Sequence, residues 1–386
     1  MTWPNVIINQ LNQLQGRIRE VERTLLFIGH ARPDADTEGD IIALNSQSDV
    51  PTELSDATDK LRDNVIAAQL NGGQNWQAYV LIMPADADND AFIDAIKLVQ
   101  PLISVEGIVV LHEPDLLAKA PEILAYNNLR TEIINKHGRW TWFIVSIPGP
   151  LAQVQPLTWV QYRTVMATTL TGIAANGVQV VPNLWGNEAG VLAGRLCNRT
   201  VTIADSPCRV ATGPLLGFGD GSGDLPVDSE GDEVTLATLQ ALHDLRCSVP
   251  MWYPDYEGYY WSDGLMLEVN GGDYPVIEYL RIVDKVARRI RIQAIARIGN
   301  RSLNTTPVST EAHITYFGRT LREMSRALQI NGVPFPGEIM PPRDGDVTVT
   351  WTDEEHVVIG VIARPHGCPK GITVNIILDS SLEGKL

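Results

Sequence analysis

The spacing of hydrophobic and polar positions changes rhythm along this 386-residue chain. In the first half, short apolar runs recur: LLFIGH at 25 to 30, QAYVLIM at 77 to 83, GIVVL at 107 to 111, WTWFIVSI at 140 to 147 and the GVQVVP region at 178 to 183. Runs of this length, separated by helical patterns, predict strands buried on both faces. The clearest unit spans Trp140 to Val181: a strand, a helix carrying Leu157, Val160, Val165, Leu170 and Ile173, an Asn176-Gly177 stop, and a second strand. That order is a βαβ signature and predicts a parallel or mixed sheet covered by helices. Residues 31 to 75 are polar and turn-rich, which predicts a surface excursion.

The second half is organised differently. A Gly/Asp-dense stretch, GPLLGFGDGSGDLPVDSEGDE at 213 to 233, predicts a flexible linker with a domain boundary near its end. Helices are expected at 234 to 245, from about Val276 after Pro275, and along Ile314, Phe317, Leu321, Met324 and Leu328 as far as Asn331-Gly332. The period then falls to two. Val347, Val349 and Trp351 alternate with threonines, VVIGVIA follows, and beyond the linker PHGCPKG lies GITVNIILDS at 371 to 380. The other terminus carries a β-prone run as well, NVIINQLNQLQG from residue 5. The expected fold class is α/β (α+β): a mixed sheet with flanking helices, then a C-terminal α+β domain. The expected division is an N-terminal arm at 1–20, an α/β domain at 21–233, a second domain at 234–363, and a linker and arm at 364–386. A loose strand at each end is either tucked into its own sheet or offered to another chain.

Composition narrows the function. Apolar residues make up 44% of the chain, enough for two cores. A net charge of −16 argues against nucleic acid or an anionic membrane as a general partner, because phosphate binding needs a basic surface. No run approaches the roughly 18 apolar residues of a membrane span, and MTWPNVIINQ lacks the pattern of a signal peptide. Cys197, Cys208, Cys247 and Cys368 have no CxxC spacing, so they read as ordinary thiols in a reducing compartment.

Catalytic patterns were tested in turn. Gly217, Gly219, Gly221 and Gly223 lack the spacing of a dinucleotide loop, and the acidic residues among them would repel phosphate. Asp220, Ser222 and Asp224 miss the calcium-loop pattern at Leu225 and Gly231. His112-Glu113-Pro114-Asp115 lacks the second histidine of a zincin and reads as a strand end before a helix cap. His30, His243 and His313 read as isolated packing or surface residues. No catalytic residue, metal site or cofactor is expected.

Charge is more informative. Arg281, Lys285, Arg288, Arg289, Arg291 and Arg297 crowd one predicted helix, and Arg319, Arg322 and Arg326 line the next on the side away from its apolar stripe. Such residues form either a solvated face laced with internal salt bridges or a surface for an acidic partner.

The ordered set EAGVLAGRLC (188 to 197), SPCRVATGPLLG (206 to 217), TLATLQALHDLRC, GYYWSDGLMLE, DYPVIEYLRIVDKVARRI and HVVIGVIARPHGCPKGITVNI resembles contractile phage tail sheath proteins over residues 185 to 386. Family members often carry Gly-Ala-Arg-Thr-Leu where this chain has Asp263-Gly264-Leu265-Met266-Leu267, and the chain lacks the length for a large outer insertion domain. The resemblance implies a virion tail protein, assembled in the host cytoplasm. It implies a helical homopolymer of stacked rings around an inner tail tube protein, meeting baseplate and tail terminator proteins. It implies strand exchange between subunits through Val6, Ile7 and Ile8 at one end and Ile372, Val374, Ile376 and Leu378 at the other. The linker from Pro365 to Gly371 spans about 23 to 25 Å when extended, enough to leave its own domain. Arg319, Arg322 and Arg326 are then expected to face the tube. The competing expectations are a cytosolic α/β enzyme or ligand-binding protein with both terminal strands intramolecular, and a non-contractile tube or baseplate component.

Overall fold

The computed structural model describes residues 21–35, 39, 41–112, 119–153, 155–200, 202–330 and 332–376. In chain order the first part runs β1 (Thr24–His30), β2 (Ile41–Asn45), α1 (Val50–Glu53), α2 (Asp59–Gly72), β3 (Gln77–Met83), α3 (Asn89–Val99), β4 (Gly107–Val110), α4 (Lys119–His137), β5 (Trp142–Pro148), α5 (Trp159–Leu170), β6 (Val178–Asn183) and α6 (Glu188–Cys197). Its strands form one six-stranded sheet in the order β2-β3-β1-β4-β5-β6, parallel except for the antiparallel edge strand β2. The β5–α5–β6 unit is the crossover that the apolar periods predict.

Alternation within each strand splits the sheet into two buried faces. Leu26, Ile28, Ile108, Val110, Phe143 and Val145 pack under α3, α4 and α5. Leu25, Phe27, Val80, Val109, Trp142 and Ile144 pack under α2 and α6. Residues 31 to 75 are therefore no surface excursion: they supply β2, α1 and α2 and bury Leu44, Leu54, Leu61, Val65 and Ala68. The helix is disguised by polarity, because its inward positions include two asparagines. Asn64 donates to Gly186 O at 3.2 Å and accepts from Gly190 N at 2.7 Å; Asn71 donates to Leu216 O at 2.7 Å and accepts from Leu216 N at 3.0 Å. Gly190 and Gly194 allow this contact, since a Cβ on either would lie 2.0 Å from Asn64 O or 2.5 Å from Ala68 O.

The glycine-rich stretch is also tied down rather than flexible. Asn187 donates to Gly217 O at 2.8 Å and accepts from Gly219 N at 3.0 Å, and the Asp228 carboxylate receives Trp159 N at 2.9 Å. Beyond it come α7 (Leu236–Asp244), β7 (Pro250–Tyr253) and β8 (Tyr256–Trp261), and residues Val234 to Leu267 still contribute to the core of the sheet.

The remaining elements are α8 (Ile277–Ile295), α9 (Pro307–Met324), β9 (Leu328–Ile330), β10 (Val333–Phe335), β11 (Val347–Trp351) and β12 (Val357–Val361). Ile282, Val286, Phe317, Leu321, Met324, Val347 and Val349 form a separate small core. The α9 helix stops at Met324 with Ser325 as its cap, so Leu328 belongs to a short strand instead of the helical stripe. Among the described residues no helix is long and apolar enough to cross a membrane.

Candidate assembly site

Helix α8 determines how the small core sits on the large one. Its first turns place Ile277 and Leu280 in the sheet's core and Ile282 and Val286 in the small core. Several of its charges are buried or half-buried with them, whereas Arg291 stays exposed. Arg281 reaches Glu106 at 2.6 and 2.8 Å, Asp284 takes a fork from Arg130 at 2.7 and 3.0 Å, Lys285 meets Glu338 at 2.7 Å, and Arg288 meets Glu22 at 2.9 Å. Buried charges demand such partners. These residues are an internal weld between the two halves, not a surface for an acidic partner. The signal was present in the spacing, because 277, 280, 281, 284, 285 and 288 fall on one helical face.

The α9 arginines differ. Arg319, Arg322 and Arg326 are all exposed. Arg319 pairs with Glu323 at 2.7 Å one turn on, and Arg322 donates to Thr315 O at 2.6 Å. Arg326 lies just past the helix end. The three share an outward face and stay accessible.

The β11–β12 hairpin offers the sheet edges. Val347 and Val349 pack inward on α9, while Val358 and Ile362 stay 56% and 52% exposed. Among the described residues β11 pairs with β12 alone, so each has one unpaired edge. A groove of about 500 Å³ runs beside the hairpin, lined by Ile298, Leu303, Phe317, Trp351, Val357 and Ile359.

The chain then enters its C-terminal linker, which is pinned in two places. Arg364 is held by Asp346, and Met340 N donates to Arg364 O at 2.8 Å beside an Ile339–Pro365 bridge. Lys370 is held by Asp263 and lies 3.4 Å from Glu278. The linker therefore follows the body as far as Lys370. Among the described residues, 371 to 376 have no strand pairing, and Ile372, Val374 and Ile376 are 79%, 72% and 91% exposed. Leu378, with Val6, Ile7 and Ile8, lies outside the described residues.

Several of the residues with candidate chemistry have partners within the fold, whereas the buried Nδ1 of His243 has no hydrogen-bond partner among the described residues. Asp220 caps its own turn by accepting from Ser222 N at 2.9 Å. His30 and His112 are not isolated: Nε2 of the first meets Nδ1 of the second at 2.9 Å, with Phe92 against both rings at 4.9 and 5.0 Å. His313 is buried on α9 and bonds Ser309 O at 2.8 Å. Lys370 and its two carboxylates escaped the sequence reading, because they are far apart in the chain and follow no local period.

Two family models match the chain: the DUF2586 N-terminal domain over residues 3–265 and the DUF2586 C-terminal domain over 273–381. A curated protein named "Putative tail sheath protein", from Haemophilus phage HP1 (strain HP1c1), is 46% identical over 378 residues, 98% of each chain. Among solved structures, the PVC sheath of an extracellular contractile injection system in its contracted state aligns with a TM-score of 0.63 at 16% identity, covering 99% of both chains. The helical sheath of the anti-feeding prophage, also contracted, gives 0.59 at 14% identity over 98% of this chain and 100% of that one. A sheath tail protein from Desulfitobacterium hafniense gives 0.52 at 11% identity, covering 94% and 96%. At these identities the three structures establish a shared fold.

Proposed function

The chain belongs to the DUF2586 family and is a phage tail sheath protein, and on that premise we propose that its terminal arms join subunits into a contractile helical sheath around an inner tail tube. The carrying observation is the stretch after Lys370: alternate apolar side chains, mostly exposed, with no ladder among the described residues. An exposed strand of this kind is completed by adding to a sheet edge, and β11–β12 supplies edges on every copy. A strand given from one copy to the next is a head-to-tail contact, which builds a helix rather than a closed dimer.

Arg319, Arg322 and Arg326 are the proposed tube-facing residues. They are exposed basic groups on a chain of net charge −16, suited to screened pairing with an acidic inner tube. Baseplate and terminator proteins would meet the two ends of the polymer, with assembly in the host cytoplasm before incorporation in the virion. A trigger at the baseplate would release a rearrangement held behind a kinetic barrier, so assembly itself stores the energy for driving the tube through an envelope. The proposed division remains an arm at 1–20, an α/β domain at 21–233, a second domain at 234–363 and a linker and arm at 364–386, with Val234 to Leu267 also packing into the core of the sheet.

Negative-stain microscopy of the purified protein tests the reading. Rods or striated tubes are expected. Discrete particles with measurable turnover of a small molecule would replace it with the enzyme reading.

A further inference from the structure

The C-terminal linker ends in a socket. Asp263 and Glu278 are buried side by side, at 5% and 3% exposure, and they approach the one lysine of the linker. Asp263 also accepts from Ser206 Oγ at 3.1 Å and from Gly264 N at 2.8 Å, so its carboxylate is fixed before Lys370 arrives. Glu278 is less well provided for: its Oε2 is buried without a hydrogen-bond partner. Two buried carboxylates with a spare acceptor make an environment that favours a cation strongly. Lys370 keeps 36% of its side chain exposed, so it enters from the solvent side as a plug.

We propose that Lys370 and the Asp263–Glu278 socket are the positioning device of the C-terminal arm, fixing where and in which direction it leaves the subunit. The inference rests on the arm-donation reading and deepens it. Pinning at Lys370 removes the linker's slack, so the exchanged segment starts from a defined point at Gly371. A shorter free tether raises the effective concentration of the arm at one neighbour and lowers it at all others. It also explains a lysine placed between Pro369 and Gly371: proline restricts the approach, and glycine permits the turn away.

The socket's charge depends on pH. Burial pushes Glu278 up to about 7, Lys370 opposes that shift and Asp263 adds to it. The other titratable groups at the cluster are Cys208 on the facing loop and Cys368 on the linker, and burial pushes both thiols above their usual range, so they stay neutral near pH 7. Above about pH 7 Glu278 adds its negative charge to the socket; below it, that charge is lost. Because the folded value lies above the ordinary 4.5, folding favours the protonated form, and acidification stabilises the fold at this residue while weakening its hold on Lys370. A general loosening in acid would move both the same way.

Tryptic cleavage after Lys370 reads the grip directly, since a lysine seated in the socket cannot enter the protease. The full chain is digested as a dilute monomer from pH 6 to 8.5, and each rate is divided by that of a free peptide spanning residues 364 to 376. At pH 8 the wild-type cut is expected to be slower than the peptide's by about tenfold, with protection shrinking below pH 7. Lys370→Arg should retain protection, Asp263→Asn should lose it, and Glu278→Gln should flatten the pH profile. Thermal melts accompany each variant; should Asp263→Asn unfold, the near-isosteric Glu278→Gln and Lys370→Arg still decide. Cleavage of the wild type at the peptide rate at pH 8, or a Glu278→Gln profile parallel to wild type, overturns the socket. Arm donation is scored separately, by assembly of a chain truncated before Gly371, so either idea can fail alone.

Discussion

On β5 every residue from Trp142 to Pro148 is buried, whereas Val358 on β12 is more than half exposed and Ile376 on the arm is 91% exposed. The large sheet is covered by helices on both faces and hides its apolar surface within one chain. The hairpin and arm hide theirs on one side or not at all. The same β-prone residue types thus meet two fates: the first set is covered within its own chain, and the second, on the proposed reading, is left for contacts between subunits. Residues that look alike in sequence must be separated by whether their own chain covers them.

The sharpest way to break this comparison is to cut the chain before Gly371. If the arm works between subunits, the truncated protein should keep its monomer melting temperature and lose assembly altogether, because no ladder among the described residues is removed. Phe143→Ala, by contrast, should cost about 3 to 5 kcal/mol of monomer stability. Thermal melts of dilute monomer with microscopy of concentrated samples measure both. A large fall in monomer stability on truncation would show the arm to be intramolecular.

The weld at α8 gives the next largest effect. Burial pushes the Glu106 carboxyl up, but the charge and hydrogen bonds of Arg281, with Arg288 and the Arg23 N–H, outweigh it and hold it at about 2. A folded value below the ordinary 4.5 contributes stability above pH 4.5 and loses it as pH falls toward 2. Glu106→Gln strands Arg281 in the interior and should cost about 3 to 5 kcal/mol at neutral pH. Urea titrations at pH 7 and pH 3 check it: the gap between wild type and variant should narrow in acid. An equal gap at both would remove Glu106 from the account.

A smaller loss is expected at the close approach of α6 to α2. Gly194→Ala places a methyl against the backbone of Ala68 and should destabilise by about 1 to 3 kcal/mol, whereas Gly299→Ala, with open space around it, carries only the strain of its positive φ. Denaturant midpoints of the two variants order these effects.

How far these regions could be read from sequence follows from the same contrast. Strands β1, β3, β4, β5 and β6 were legible because uninterrupted apolar runs have one reading once βαβ spacing is present. The α2 helix was not, because Asn64 and Asn71 stand at inward positions and only the folded chain supplies the carbonyls and N–H groups that satisfy them. The α8 basic residues left two readings open, a solvated face with internal salt bridges or a partner surface, because composition registers charge and not its burial. Lys370, Asp263 and Glu278 meet across about a hundred residues, beyond any local pattern.

The smallest effect on the subunit is expected where exposure is greatest, at Arg319, Arg322 and Arg326. Arg319 and Glu323 form an exposed pair one helical turn apart, and solvent screens such pairs until they add little to stability. Replacing all three arginines by Glu puts like charges at 319 and 323, a screened repulsion that should leave the melting temperature of the subunit nearly unchanged. The fold should remain, since neither buried core includes these side chains. Loading onto purified tubes should fall sharply, and the salt dependence of loading should flatten as the attracting charges disappear. Co-sedimentation with tubes at 50 and 300 mM salt separates the cases. Unchanged loading with an unchanged salt response would leave these arginines as a solvated helix face, and the contrast between buried α8 and exposed α9 would then concern packing alone.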